Sequence, residues 1–139
     1  MKLIIKTLLI LGFVPILFSC QPEEESATSA YDVRNTIIGY WKVDETSSEY
    51  GNSKYTVKIT AGNDSNEIFI DNFYNIGDDK QIKGIVYKDY LIDIKNQTVD
   101  GFIFQGNATI NNSSNHITFS YTADDQGDII DTISSSYTK

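Results

Sequence analysis

The chain predicts an all-β protein, an eight-stranded antiparallel up-and-down barrel, on three observations. From Thr36 to the C-terminus, apolar and polar residues alternate with period two in short segments rich in β-branched and aromatic side chains. Eight such segments are separated by short runs of Gly, Asn, Asp and Ser that carry turn chemistry. No window there offers a sustained i, i+3, i+4 apolar stripe, and no repeat recurs at a fixed period. Short connectors make consecutive strands antiparallel neighbours, and eight strands joined this way can close and remove exposed edges.

Taken in order, residues 1–19 carry Lys2 and Lys6 and an apolar core from Leu3 to Phe18. The uncharged stretch from Thr7 to Cys20 is 14 residues long, short for a bilayer core that needs about 20. A cleaved signal peptide is expected. Residues 20–36 begin with the only cysteine, Cys20, and continue Gln21-Pro22-Glu23-Glu24-Glu25 into a Ser, Ala and Thr run. Too few apolar groups are present to repay ordering, so this stretch reads as a tether.

The barrel domain spans 37–139. Its first strand, Ile38 to Thr46, puts Gly39, Trp41 and Val43 on one face and Tyr40, Lys42 and Asp44 on the other. The second, Lys54 to Ala61, turns Tyr55, Val57 and Ile59 inward. Glu67 to Asp71, Gln81 to Tyr87, Tyr90 to Lys95, Phe102 to Ile110, His116 to Thr122 and Ile129 to Thr138 follow. Phe102, Phe104, Gly106, Ala108 and Ile110 share one face and taper from large to small, as a filled barrel interior requires. Only Asn72 to Asp79 has room for a helical turn.

Charge narrows the partners. The chain has 11 basic and 19 acidic residues. Loss of Lys2 and Lys6 with the signal leaves 9 against 19, a net charge of −10. A surface this acidic does not suit nucleic acid, whose phosphates need basic groups, nor anionic headgroups, so membrane attachment rests on lipid. With Cys20 consumed, no disulfide can form, and the domain depends on core burial and strand pairing.

Candidate chemistry is sparse. His116, the sole histidine, starts a strand after an Asn-rich turn and reads as an exposed strand-end residue. One His and no free Cys make a zinc site a poor fit. The chain also lacks a Gly-x-Ser-x-Gly elbow for a nucleophilic triad. Asp78-Asp79, Asp124-Asp125-x-x-Asp128 and Asp64 are turn acids without the spaced ligands of a calcium loop. No catalytic residue, metal or cofactor is assigned. Asp71, Asp93 and Asp131 lie on strands and would serve a hydrolase only if two met in one cleft; Asp93, between Ile92 and Ile94, falls on the outward face. In the connector, Phe73 and Tyr74 are candidate ligand-binding residues at a portal lip. The alternative is that Phe73 and Ile76 cover an open barrel end.

Several segments resemble known families. Leu17-Phe18-Ser19-Cys20 resembles the lipobox of bacterial lipoproteins, which implies a diacylglycerol on Cys20, cleavage before it and acylation of the new N-terminus. Cys20 followed by Gln21-Pro22-Glu23-Glu24-Glu25 is similar to the acidic export tag of Bacteroidetes surface lipoproteins, implying an outer-membrane lipoprotein exposed at the cell surface. Gly39-Tyr40-Trp41 resembles the Gly-x-Trp of lipocalins and calycins, whose Trp seals the barrel floor, with Gly39 allowing close backbone approach. Ile68 to Gly77, Tyr90 to Gln97, Gly101 to Ile110 and Ser136-Tyr137-Thr138-Lys139 resemble the lipocalin-like, calycin-type barrels of Bacteroidetes lipoproteins. Lipocalins usually set an Arg from the last strand against that Trp, whereas the only Arg here is Arg34, ahead of the first strand.

The resulting expectation is a lipid-anchored, non-catalytic lipocalin-like barrel that binds a small apolar or glycan-like ligand or serves beside another envelope protein. An interaction module without a cavity is the alternative, favoured by nine Tyr residues, with Tyr40 and Tyr74 read as outward-facing. A hydrolase using strand carboxylates is the third reading. Cys20→Ala should leave the domain folded and release it from membranes on fractionation; unchanged membrane retention would reject lipidation at Cys20.

Overall fold

The alternating segments form eight strands: β1 (Gly39–Ser47), β2 (Gly51–Ala61), β3 (Glu67–Asp71), β4 (Gln81–Val86), β5 (Leu91–Val99), β6 (Phe102–Ile110), β7 (His116–Asp124) and β8 (Ile130–Thr138). The computed structural model describes residues 28–139. The expected signal, Cys20 and the run Glu23 to Glu25 lie outside the described residues. Each strand pairs antiparallel with the next, and β1 pairs with β8 from Lys42↔Thr138 to Ser47↔Ile133, so the sheet is a closed up-and-down barrel.

Period-two burial carries through as the sequence predicts. Trp41 and Val43 on β1, Val57 and Ile59 on β2, Ile92 and Ile94 on β5, and Phe104, Ala108 and Ile110 on β6 are buried. Asp93 faces outward and pairs with Lys95 at 3.1 Å. Gly106 continues the inward row of β6 where that strand curls tightly against β7. A Cβ there would collide with the Ser120 carbonyl and with Tyr121.

Four strands extend beyond their expected ends, β1 by one residue and β7 by two, and β2 and β5 furthest. β2 starts at Gly51 because the β1–β2 ladder runs on to Ser47↔Gly51, and Thr46 Oγ1 donates to Asn52 Oδ1 at 3.0 Å. β5 runs on to Val99 through a bulge between Ile94 and Gln97. The β4–β5 ladder itself is short, pairing Ile85↔Asp93 and Val86↔Ile92. Gln97 extends it with its side chain: Oε1 accepts from Lys83 N at 2.9 Å and Nε2 donates to Lys83 O at 2.7 Å.

The tether reading of residues 20–36 is corrected at its C-terminal end, residues 30–36; residues 20–27 lie outside the described residues. Ala30–Thr36 forms a helix, α1. Its N-terminus carries a capping box in which Asp32 N donates to Ser29 Oγ and Ser29 N donates to Asp32 Oδ2. Val33 in α1 and Ile37 just after it are buried against the barrel end, each contributing about 1.5–3 kcal/mol. Composition averaged over 20–36 hides the cap at Ser29 and Val33, which pairs at i, i+4 spacing with Ile37 just past that stretch.

Trp41 seals this end, which we call the floor. Its indole is 1% exposed, and Nε1 donates to Ile37 O at 2.8 Å. Lys139 sits with Nζ 4.9 Å from the Trp41 ring and donates to Thr36 O at 2.7 Å. A cation from the end of the last strand therefore does face the Trp, supplied by Lys139 rather than Arg. Arg34 lies elsewhere on the floor and donates through Nη1 to Asp64 O at 3.0 Å. The expected reason for Gly39 is also corrected: nothing lies within 4 Å of the position of a Cβ, and the requirement is its φ of +128°. Trp41→Phe would leave the Ile37 carbonyl unpaired and should cost about 1–3 kcal/mol in chemical denaturation; unchanged stability would show that the indole bond contributes nothing.

Candidate functional site

The opposite end, the mouth, is formed by the connectors 48–50, 72–80, 100–101 and 125–129. Asn72 organises the longest of these. It adopts a left-handed φ of 62°, donates Nδ2 to Thr56 O at 2.9 Å and accepts from Gly77 N at 2.9 Å. This holds a 3₁₀ turn, Phe73–Asn75. Phe73 is driven into the barrel, fully buried, edge-on to Phe104 at 5.6 Å and to Phe119 at 5.8 Å. Phe73 thus plugs the barrel end, and Ile76 packs partly buried on the core. The covering role, rather than ligand contact, is what the structure assigns to Phe73.

Tyr74 is not outward-facing as the sequence suggests. Its ring stands edge-on to Phe102 at 5.4 Å and Phe104 at 5.7 Å, and its hydroxyl donates to Asp131 Oδ2 at 2.7 Å. Tyr74 holds a left-handed φ of 57°, strained for so large a side chain. The aromatic contacts and the bond to Asp131 keep it there.

Asp131 points into the barrel from β8 and is 3% exposed. Oδ2 also accepts from Ser47 Oγ at 2.6 Å, and Oδ1 accepts from Ser48 Oγ at 3.0 Å and Glu49 N at 3.2 Å. Burial pushes its pKa up, but the bonds from Ser47, Tyr74, Ser48 and Glu49 outweigh it, and the pKa falls below its usual range. Asp131 is thus held as a carboxylate.

Glu45, one inward step down β1 from Ser47, is also 3% exposed. Its Oε2 accepts from Tyr55 Oη and Tyr121 Oη, both at 2.6 Å. Here burial dominates and raises the pKa, with the charge of Asp131 adding to the rise; the two phenols offset it only in part. Burial pushes the Tyr55 and Tyr121 hydroxyls far up as well, so both remain donors. The Ser135 and Tyr137 hydroxyls are buried without partners. Two inward carboxylates therefore have their pKa values driven apart, one by burial and the other by donors.

A cavity of about 220 Å³ opens at the mouth, walled by Tyr50, Tyr74, Phe102 and Ile129, with Asp131 at its base. A larger depression of about 530 Å³ lies on the outer wall across β5–β8, floored by Gly106 and outward polar side chains such as Asn107 and Ser120. Its polar, open floor offers little to an apolar ligand. Along the barrel axis Trp41, Phe73, Phe104, Phe119 and Tyr137 fill the interior.

The other candidates disperse. Asp71 accepts from Gln81 Nε2 at 2.7 Å on the outside, Asp93 pairs with Lys95, and Asp131 faces inward. The three strand carboxylates the sequence singles out share no cleft. His116 lies partly exposed at the start of β7, near the Thr118 and Ser136 hydroxyls. Asp124 and Asp125 accept from turn amides at Gln126 and Gly127. Among the described residues no three His, Cys, Asp or Glu side chains gather as a metal would require. Sequence reading missed Glu45 as an interior group, although it shares the parity of Trp41 and Val43.

The opposed shifts give a signed pH prediction. Glu45, with its folded pKa raised above the ordinary 4.5, should cost stability increasingly as pH rises through 4.5 and level off above its folded value, by about 1.4 kcal/mol per unit of separation. Asp131 acts oppositely, its stabilisation being lost as pH falls below 3.8 through its lowered value. Denaturation from pH 3 to 8 should show wild type losing stability relative to Glu45→Gln as pH rises; a difference independent of pH would contradict this.

No family model matches the chain, and no curated protein does either. Solved structures do. A redesigned β-barrel, b11L5F_LGL, aligns with a TM-score of 0.58 at 14% identity, covering 77% of this chain and 94% of that one. EF1p2_mFAP2b bound to DFHBI gives 0.57 at 17% identity, covering 80% and 99%. The redesigned barrel mFAP1 bound to DFHBI gives 0.57 at 17% identity, covering 77% and 98%. At such identities the likeness is one of fold: this chain is similar to small designed β-barrels in strand number and closure.

Proposed function

We propose that this protein is a non-catalytic binding barrel, lipid-anchored through Cys20 at the bacterial outer membrane, that takes a small, partly apolar ligand at its mouth. The observation that carries the reading is the aromatic-walled cavity at the mouth of an otherwise filled barrel. Because the interior is packed with side chains, the ligand sits at the rim between Tyr74 and Phe102 rather than along the axis. Two structurally similar designed barrels are described bound to DFHBI, which supports the capacity of a barrel this small to hold a small ligand. A glycan-like ligand would find the same rings to stack on.

The chain's course supports an orientation. Residues 21–29 separate Cys20 from α1, and α1 packs on the floor. Nine residues span at most about 30 Å, so a lipid on Cys20 would attach the domain by its floor side. The interaction-module reading draws on Tyr40 at 68% and Tyr50 at 74% exposure. These lie near opposite ends of the β1–β2 hairpin and do not combine into one patch, so the ligand-binding reading is preferred.

Titrating the ¹⁵N-labelled full chain in detergent with DFHBI tests the site. Shifts should concentrate at residues 49–50, 74, 102 and 125–131. Tyr74→Ala should weaken binding about tenfold, while Tyr74→Phe, which keeps the ring, should retain it. Shifts confined to the outer wall, or equal binding by Tyr74→Ala, would reject the mouth as the site.

A further inference from the structure

The walls of the mouth cavity are apolar, but its charge is of one sign. Asp131 at the base is joined by Glu49, Asp125 and Asp128, and no Lys, Arg or His lines the cavity. Among the described residues none of these four carboxylates takes part in an ion pair. The one lysine in the four mouth connectors, Lys80, is turned to Asp79 at 3.5 Å and Asp100 at 3.6 Å. Asp131 is thus a buried carboxylate whose charge is balanced by hydroxyl and amide dipoles alone. A buried charge with no counter-ion beside a low-dielectric wall attracts an opposite charge more strongly than an exposed one does.

The walls decide what sort of cation fits. The acids are spread around the rim and do not gather three oxygen donors as a metal ion would require. The cavity, at about 220 Å³, has room for about seven water-sized groups, far more than a bare ion fills. Rings of Tyr50, Tyr74 and Phe102 in the lining can offer a negative π-face to a cation and apolar contact to the body that carries it. Tyr50 and Ile129 are 74% and 58% exposed, so rim apolar surface stands uncovered beside the acids. The neighbouring exposed Ile130 extends it.

We propose that the mouth ligand is a small organic cation, an ammonium or amidinium carried on an apolar or aromatic body, with the charged group directed at Asp131. This rests on the mouth being the ligand site and adds the charge of what enters it. Because Ser47, Ser48, Glu49 and Tyr74 already fill the acceptor positions of Asp131, the ammonium would lie in the field of that carboxylate and donate to the outer lone pair of the Tyr74 hydroxyl and to the rim carboxylates, while the body lies between Phe102, Tyr50 and Ile129. A carboxylate or phosphate ligand meets four like charges there.

Calorimetric titration of the full chain in non-ionic detergent with three probes of one shape separates the possibilities: 2-phenylethylammonium, 2-phenylethanol and 3-phenylpropanoate. The ammonium should bind at least tenfold tighter than the alcohol, and the carboxylate weakest. The preference should shrink to about threefold or less in 0.5 M sodium chloride, as screening requires. Asp125→Asn/Asp128→Asn, which keeps the turn acceptor at 125, should reduce it without changing the melting temperature. Asp131→Asn should reduce it further; if that variant proves unstable, Glu49→Gln, which removes another cavity carboxylate, should reduce it in its place. Equal binding of ammonium and alcohol, abolished by Tyr74→Ala, would overturn the charge inference while the mouth site stands. Absence of binding by any probe, together with no DFHBI binding, would overturn both.

Discussion

Six residue pairs between the first and last strands, Lys42↔Thr138 through Ser47↔Ile133, close the sheet, and everything of chemical interest depends on that register. Because side chains alternate across a strand, it turns Glu45 and Ser47 of β1 inward together with Asp131, Ile133, Ser135 and Tyr137 of β8. A slip of one residue would put those acids in solvent and the outward lysines and threonines in the core. The closure therefore sets both the apolar packing and the polar inner wall, and neither can be altered without the other.

The two ends of the barrel are closed by different means. At the floor, a helix continuous with β1, the Trp41 indole and the terminal Lys139 form a ring of hydrogen bonds about Thr36 and Ile37. At the mouth, the plug is a connector that must enter left-handed conformations at Asn72, Tyr74 and Asn75. That backbone cost is met by burial of Phe73 and by the bond from Tyr74 to Asp131. Aromatic rings line the mouth because the plug brings them there, and the open cavity is what the plug leaves uncovered.

Polar groups inside so small a core come at the expense of stability. Glu45 loses hydration that two phenols replace only in part, and the Tyr137 and Ser135 hydroxyls have no partner at all. Asp131 differs because four donors converge on it. Its network joins β1, the β1–β2 turn, the plug and β8, so the base of the cavity is held by the same bonds that fix the mouth. Preorganisation of a binding carboxylate and structural fastening are here one arrangement.

Strand number, order and inward faces were legible in the residues, since period two and short Gly, Asn and Asp turns are local properties that closure only completes. The inward face of Trp41 and the taper of β6 followed from the same parity, while the place of Trp41 at the floor was implied by the resemblance to the Gly-x-Trp of lipocalins. The α1 helix escaped because its cap and Val33 are diluted in a polar stretch. Tyr74 was read as outward because nothing local says that an Asn72 in a left-handed conformation will turn the chain back over the barrel. The sequence alone determined which side chains share a face. Which of them meet, above all Tyr74, Ser47 and Asp131, was decided by the tertiary structure, because their contacts span 57 and 84 residues and exist only once the last strand pairs with the first.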